Sequence, residues 1–156
     1  METDIKRAEK YCLRLLAARA RTEKEVSGRL EAKGFSGVCR VKVLKKLIDN
    51  KLIDDAVFAS DWIESRIKYK PRSRALIKRE LLEKGIKKEI VEQAISGVGE
   101  ILNDRNMSAR IVERQLPELD GLDGEKKKEK LFRTLLMRGF DMETAEEAVN
   151  SVIKDR

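Results

Sequence analysis

The chain has 156 residues, 40% of them charged and only 4% aromatic, with a net charge of +7 and no histidine. That profile belongs to helical arrays rather than to sandwiches or barrels. The missing histidine excludes Ser-His and Cys-His catalysis and removes the commonest metal ligand.

In chain order, Ile5 to about Arg19 carries Ala8, Tyr11, Cys12, Leu15 and Leu16 at helical spacing. Thr22-Glu23-Lys24-Glu25 has the form of a capping box and opens a second helix through Val26 and Leu30. Ser36 is placed to cap a third, with Val43, Leu44, Leu47 and Ile48 inward. Asp54 or Asp55 caps the next helix, whose Phe58, Trp62 and Ile63 spacing predicts Trp62 as a central core residue. Pro71 interrupts that helix, and Ser73 restarts the chain towards Leu81. Ile90, Val91, Ala94 and Ile95 mark a short helix, and Val98 to about Leu116 reads as one long helix stopped by Pro117. Asp123 and Asp141 cap the last two.

One phrase recurs three times: Leu30-x-x-Lys33-Gly34-Phe35, Leu81-x-x-Lys84-Gly85-Ile86 and Leu135-x-x-Arg138-Gly139-Phe140. A basic residue in the last turn suits the carbonyl end of a helix, and the glycine suits the left-handed backbone that ends it. Repetition at a near-constant interval predicts an all-α fold, an elongated array of three tandem three-helix repeats over 1–53, 54–97 and 98–156. Their net charges are +7, +2 and −2.

No site for chemistry emerges. Cys12 and Cys39 fall on or near apolar helix faces and make no disulfide scaffold. The Asp54-Asp55 pair lacks companions for a cation site, and no phosphate-cradling glycine loop occurs. Catalytic groups, metals and cofactors are therefore not expected. No apolar run is long enough to cross a bilayer and the N-terminus lacks a signal-peptide pattern, so a soluble, cytoplasmic protein without membrane association is expected.

The strongest interaction feature is residues 66–79, where Arg66, Lys68, Lys70, Arg72, Arg74, Lys78 and Arg79 straddle Pro71 around Tyr69 with no acid among them. Arg40, Lys42, Lys45 and Lys46 form a second cluster. Phosphate backbone is the natural target, because bound Lys and Arg release its counterions. Both clusters are candidate contacts for nucleic acid.

Leu52-Ile53-Asp54-Asp55, Phe58-Ala59, Trp62, Arg66 and Glu80-Leu81-Leu82-Glu83-Lys84-Gly85-Ile86 resemble the signature of RecX regulatory proteins. Arg21-Thr22-Glu23-Lys24-Glu25 with Lys33-Gly34-Phe35 is similar to that family's opening motif, and Leu136-Met137-Arg138-Gly139-Phe140 to its closing one. Lys51 departs from it where glycine is usual, as does Ser73 where glycine is common. The resemblance implies a non-enzymatic modulator of the RecA recombinase, active in DNA repair, recombination and the SOS response. Such a protein lodges in the groove of the RecA–single-stranded DNA filament and inhibits its ATPase, strand exchange and co-protease functions. The expected partners are that filament and single- or double-stranded DNA, met by a monomer. The basic clusters would face phosphates or acidic filament surface, and Glu143, Glu146 and Glu147 a basic patch on the recombinase. A second reading stands beside it: a sequence-neutral DNA-binding helical repeat that competes for the strand.

Overall fold

A computed structural model describes residues 1–153. Among the described residues nine α-helices run in order: α1 (Glu2–Ala18), α2 (Glu23–Ala32), α3 (Gly37–Asp49), α4 (Asp55–Tyr69), α5 (Arg74–Glu83), α6 (Lys88–Val98), α7 (Asp104–Gln115), α8 (Gly124–Met137) and α9 (Met142–Val152). Two short 3-10 turns, Gly99–Leu102 and Leu116–Leu119, flank α7, and no strand occurs among the described residues. The helices form a repeat array, α1–α3, α4–α6 and α7–α9, as the recurring phrase predicts. By packing, the chain divides into two compact units: Met1–Asp61 with Leu81–Glu92, and Trp62–Glu80 with the residues from Gln93 onward.

The helix starts are built from short polar side chains. At Thr22 both halves of the capping box form: Glu25 N–H donates to Thr22 Oγ1 (3.2 Å), and Thr22 N–H donates to Glu25 Oε2 (3.3 Å). Ser36 accepts from Cys39 N–H, Ser73 from Leu76 N–H, Asp123 from Lys126 N–H and Asp141 from Thr144 N–H. Each such cap contributes about 1 kcal/mol. Of the adjacent aspartates, Asp54 caps α4 through Ala56 and Val57 N–H. Asp55 instead accepts from Glu23 N–H (3.0 Å) at the start of α2.

The recurring phrase does more than stop helices. Gly34, Gly85 and Gly139 have φ of +87°, +84° and +90°, the left-handed backbone expected of them. Lys84 C=O accepts from the Thr22 hydroxyl (2.9 Å), and Arg138 C=O accepts from Ser73 N–H (2.9 Å). Thus the stop of α5 closes on the cap of α2, and the stop of α8 closes on the cap of α5. Thr22 and Ser73, both wholly buried, are the residues on which these joints are made. Side chains at Gly85 and Gly139 would collide there: a Cβ on Gly85 would meet Lys24, one on Gly139 Ser73 and Leu76. Gly34 belongs to the first repeat and has nothing within 4 Å of such a Cβ.

Lys51 lies in the left-handed region at φ 59°, which explains why glycine suits that position. Lys51→Gly is expected to stabilise the protein by about 0.5–1 kcal/mol, the relief of backbone strain less the added freedom of the unfolded chain. Thermal melts check this, and an unchanged or lower midpoint would contradict it.

Two expectations are corrected. The long helix from Val98 to about Leu116 is broken, because Gly99 turns left-handed (φ +65°) and Asn103 then caps α7 through Asn106 N–H (3.0 Å). Trp62 is half-buried rather than central; Phe58, Ala59 and Ile63 take the buried positions on α4. The indole face is instead covered by the Arg66 guanidinium, 4.4 Å from the ring centroid.

The first unit packs around Ala8, Cys12, Val26, Leu30, Cys39, Val43, Leu47 and Ile53. Burial, with Cys39 and Glu9 nearby, pushes the Cys12 thiol up to about 11, so it stays protonated and unreactive at neutral pH. The second unit buries Leu102, Met107, Ile111 and Val112 with Leu131, Leu135, Phe140 and Ala145.

Glu25 adds a pH-sensitive contact to the first joint. Burial alone would raise its pKa, but the hydrogen bond and charge of Lys84, the Thr22 amide and Arg19 together hold it below the usual carboxylate range. A lowered carboxylate pKa stabilises the fold above the unfolded-state pKa, and that contribution is lost as pH falls through the folded value. The thermal midpoint should therefore fall below about pH 4, and fall less in Glu25→Gln. Parallel melts of the two proteins across that range test the assignment.

Candidate nucleic-acid interface

The basic run at 66–79 separates into two kinds of cation. Glu80, one residue beyond the run, accepts from Arg66 Nη2 (2.8 Å) and Arg72 Nη1 (3.1 Å) through the same Oε2 atom. All three side chains are largely buried, at 17%, 23% and 16% exposure, which marks a structural triad and not a solvated face. Burial lowers the Arg72 pKa; Glu80 opposes that fall, while the Arg66 and Arg138 charges add to it. The carboxylate is thus what makes the paired guanidiniums tolerable there.

The remaining cations lie nearer solvent. Lys68, Lys70, Arg74 and Arg79 are exposed, and Lys78 is half-buried. Arg74 and Lys78, four residues apart on α5, share a helix face. Lys68 Nζ sits 5.2 Å from the Tyr69 ring centroid, and Tyr69 itself is 68% exposed at the end of α4. These residues form a basic surface with one open aromatic face.

On α3, Arg40 pairs with Glu31 (3.0 Å) and Lys46 with Glu9 (2.8 Å). Lys42 and Lys45 are exposed on the face opposite the buried Cys39, Val43 and Leu47. Glu143, Glu146 and Glu147 are exposed on α9, where Glu143 in the first turn complements the helix dipole. Glu146 also lines an open cleft of about 490 Å³ with Lys126, Lys128 and Phe132.

Two arginines outside the predicted clusters come together beside Tyr69. Arg114 Nη2 donates to Lys68 C=O (3.0 Å) and Arg138 Nη1 to Pro71 C=O (3.0 Å). Both line a cavity of about 280 Å³ with Tyr69, Pro71, Gln115 and Glu118. The one local hint was the basic position of the recurring phrase, which Arg138 occupies. Among the described residues, no group of three or more Cys, Asp and Glu could hold a metal, and no helix is long and apolar enough to cross a membrane.

The fold and surface define a helical-repeat protein whose displayed chemistry is charge and a stacking face. Family models describe two of its parts: the first three-helix domain of RecX matches residues 8–47, and the second matches residues 54–95. The chain belongs to the RecX family. It is 34% identical to the regulatory protein RecX of Chlorobium phaeobacteroides (strain BS1), over 98% of each chain. It is also 34% identical to that of Mycobacterium sp. (strain KMS), over 91% of this chain and 79% of the relative. The crystal structure of RecX from Lactobacillus salivarius shares the fold, with a TM-score of 0.78 at 23% identity over 97% of this chain and 98% of that one.

Proposed function

We propose that this protein regulates the RecA recombinase by binding in the groove of the RecA–single-stranded DNA filament. There it inhibits ATP hydrolysis, strand exchange and co-protease activity, and it acts without catalysis of its own. Membership of a family of regulatory proteins supports the class. The observation that carries the contact is the exposed cationic surface of Lys68, Lys70, Arg74 and Arg79 beside an open tyrosine. Exposed cations of this kind suit phosphate, and a tandem array can add several weak contacts into a strong one. Lys42 and Lys45 extend the same chemistry to the first repeat, and Glu143, Glu146 and Glu147 suit a basic patch on the recombinase.

Replacing Lys68, Lys70 and Arg74 together by alanine tests this reading. Arg66 and Arg72 are left in place because Glu80 needs them. Three lost phosphate contacts should weaken strand binding and flatten its dependence on salt by about two units of log-log slope. Inhibition of filament ATPase should weaken in parallel. Unchanged binding, slope and inhibition would remove this surface from the interface.

A further inference from the structure

The cavity beside Tyr69 has the parts of a nucleotide subsite. Its volume, about 280 Å³, lies below the roughly 300–1,000 Å³ of drug-sized sites. Tyr69 forms one wall and is 68% exposed, with Lys68 Nζ over its ring 5.2 Å from the centroid. Arg114 and Arg138 form another wall, and each guanidinium is fixed by one bond to a backbone carbonyl. A guanidinium has five N–H donors, so an anchored arginine still has donors to offer a phosphate. Gln115 also lines the cavity, and its Oε1 is buried without a hydrogen-bond partner. Glu118 also lines the cavity, and its carboxylate disfavours a phosphate on its own side.

We propose that this cavity takes one unstacked base of a single strand. The base stacks on Tyr69, and the adjoining phosphate lies against Arg114 and Arg138. The assignment deepens the filament reading above and rests on it for its ligand. It explains why an aromatic residue stands exposed within a basic run: charge alone tracks the backbone, and stacking holds the base.

The test uses the full chain and a fluorescent adenine-rich oligonucleotide, with a second strand carrying an abasic residue at every other position. Tyr69→Ala is expected to bind the intact strand about tenfold more weakly, within the range for loss of one base–aromatic stack. Tyr69→Phe should bind within about twofold of the wild type, because the ring face is retained. On the abasic strand the difference between wild type and Tyr69→Ala should shrink sharply. An unchanged affinity in Tyr69→Ala would overturn the pocket while leaving the filament reading standing. Equal losses on both strands would overturn it too, by reducing Tyr69 to a structural role. If the wild type inhibits the filament yet binds neither strand, the pocket falls together with the DNA-facing part of that reading. Excess free ATP should not displace the strand; displacement would assign the pocket to a free nucleotide and overturn its assignment to a strand.

Discussion

Gly139→Ala is expected to destabilise the protein by about 3–5 kcal/mol, while the same change at Gly34 costs roughly 1 kcal/mol. The two glycines occupy the same place in the recurring phrase and have nearly the same φ, +90° and +87°. Each substitution therefore brings the same left-handed strain, about 1–2 kcal/mol, partly offset by the reduced freedom of the unfolded chain. At Gly34 the effect ends there, because a new Cβ meets nothing within 4 Å. At Gly139 the Cβ would lie 2.5 Å from Ser73 Oγ and 2.9 Å from Leu76 Cβ. Relief requires Ser73 to give up its cap on Leu76 N–H and α5 to move away from its joint with α8. Loss of the cap contributes about 1 kcal/mol, and overpacking another 1–3 kcal/mol. Gly85→Ala should resemble Gly139→Ala, since its Cβ would lie 2.6 Å from Lys24 Cβ, an atom tied directly to the α2 backbone. Chemical denaturation of the three variants checks the order. Equal losses at all three positions would show that the phrase is only a helix stop and not a joint between repeats.

The second large effect is expected at Glu80. Glu80→Ala removes the one carboxylate shared by Arg66 and Arg72 and leaves two guanidiniums that are less than a quarter exposed. Removing one partner of a buried ion pair costs about 3–5 kcal/mol, because the charge left behind has lost both its solvent and its counter-ion. Residual solvent contact puts this case near 3 kcal/mol, a fall in Tm of roughly 6–12 °C for a chain of this size. Adding Arg72→Met to Glu80→Ala should recover part of the loss, since an unpaired charge is replaced by an apolar chain of similar length. Arg72→Met alone should cost less than Glu80→Ala, because Arg66 keeps its carboxylate. A Glu80→Ala protein as stable as the wild type would mean that the triad adds nothing to the fold.

What could be read from the sequence was local in origin. Thr22, Ser36, Asp54, Ser73, Asp123 and Asp141 all cap helices, because a cap is decided within three residues of the chain. The stop glycines were equally plain, since only their own backbone has to turn. The break at Gly99 escaped because apolar spacing continues through Ile101 and Met107 and hides a single left-handed residue. Trp62 was misplaced because helical spacing names the inward stripe but not which member of it is the deepest. The basic run carried a sharper lesson. A window ending at Arg79 held no acid, yet Glu80 lies one helical turn from Leu76 and receives both Arg66 and Arg72. Arg114 and Arg138 were invisible as a site because 46 and 67 residues separate them from the carbonyls that fix them. Their convergence is a property of packing between repeats.

The joints also give the repeats a physical basis. Lys84 and Arg138 occupy the same place in the phrase, and both carbonyls close on a buried cap of the preceding repeat. The same residues that end one helix therefore also close on the start of a helix in the preceding repeat, so each repeat supplies part of its neighbour's stability.

The most direct test of the regulatory claim is RecA ATPase activity on preformed single-stranded DNA filaments, titrated with this protein and then challenged with excess free strand. Binding in the filament groove predicts inhibition that persists when free strand is added, because the occupied surface includes the recombinase. Full recovery of hydrolysis on adding free strand, or no inhibition at any ratio of protein to filament, would contradict it.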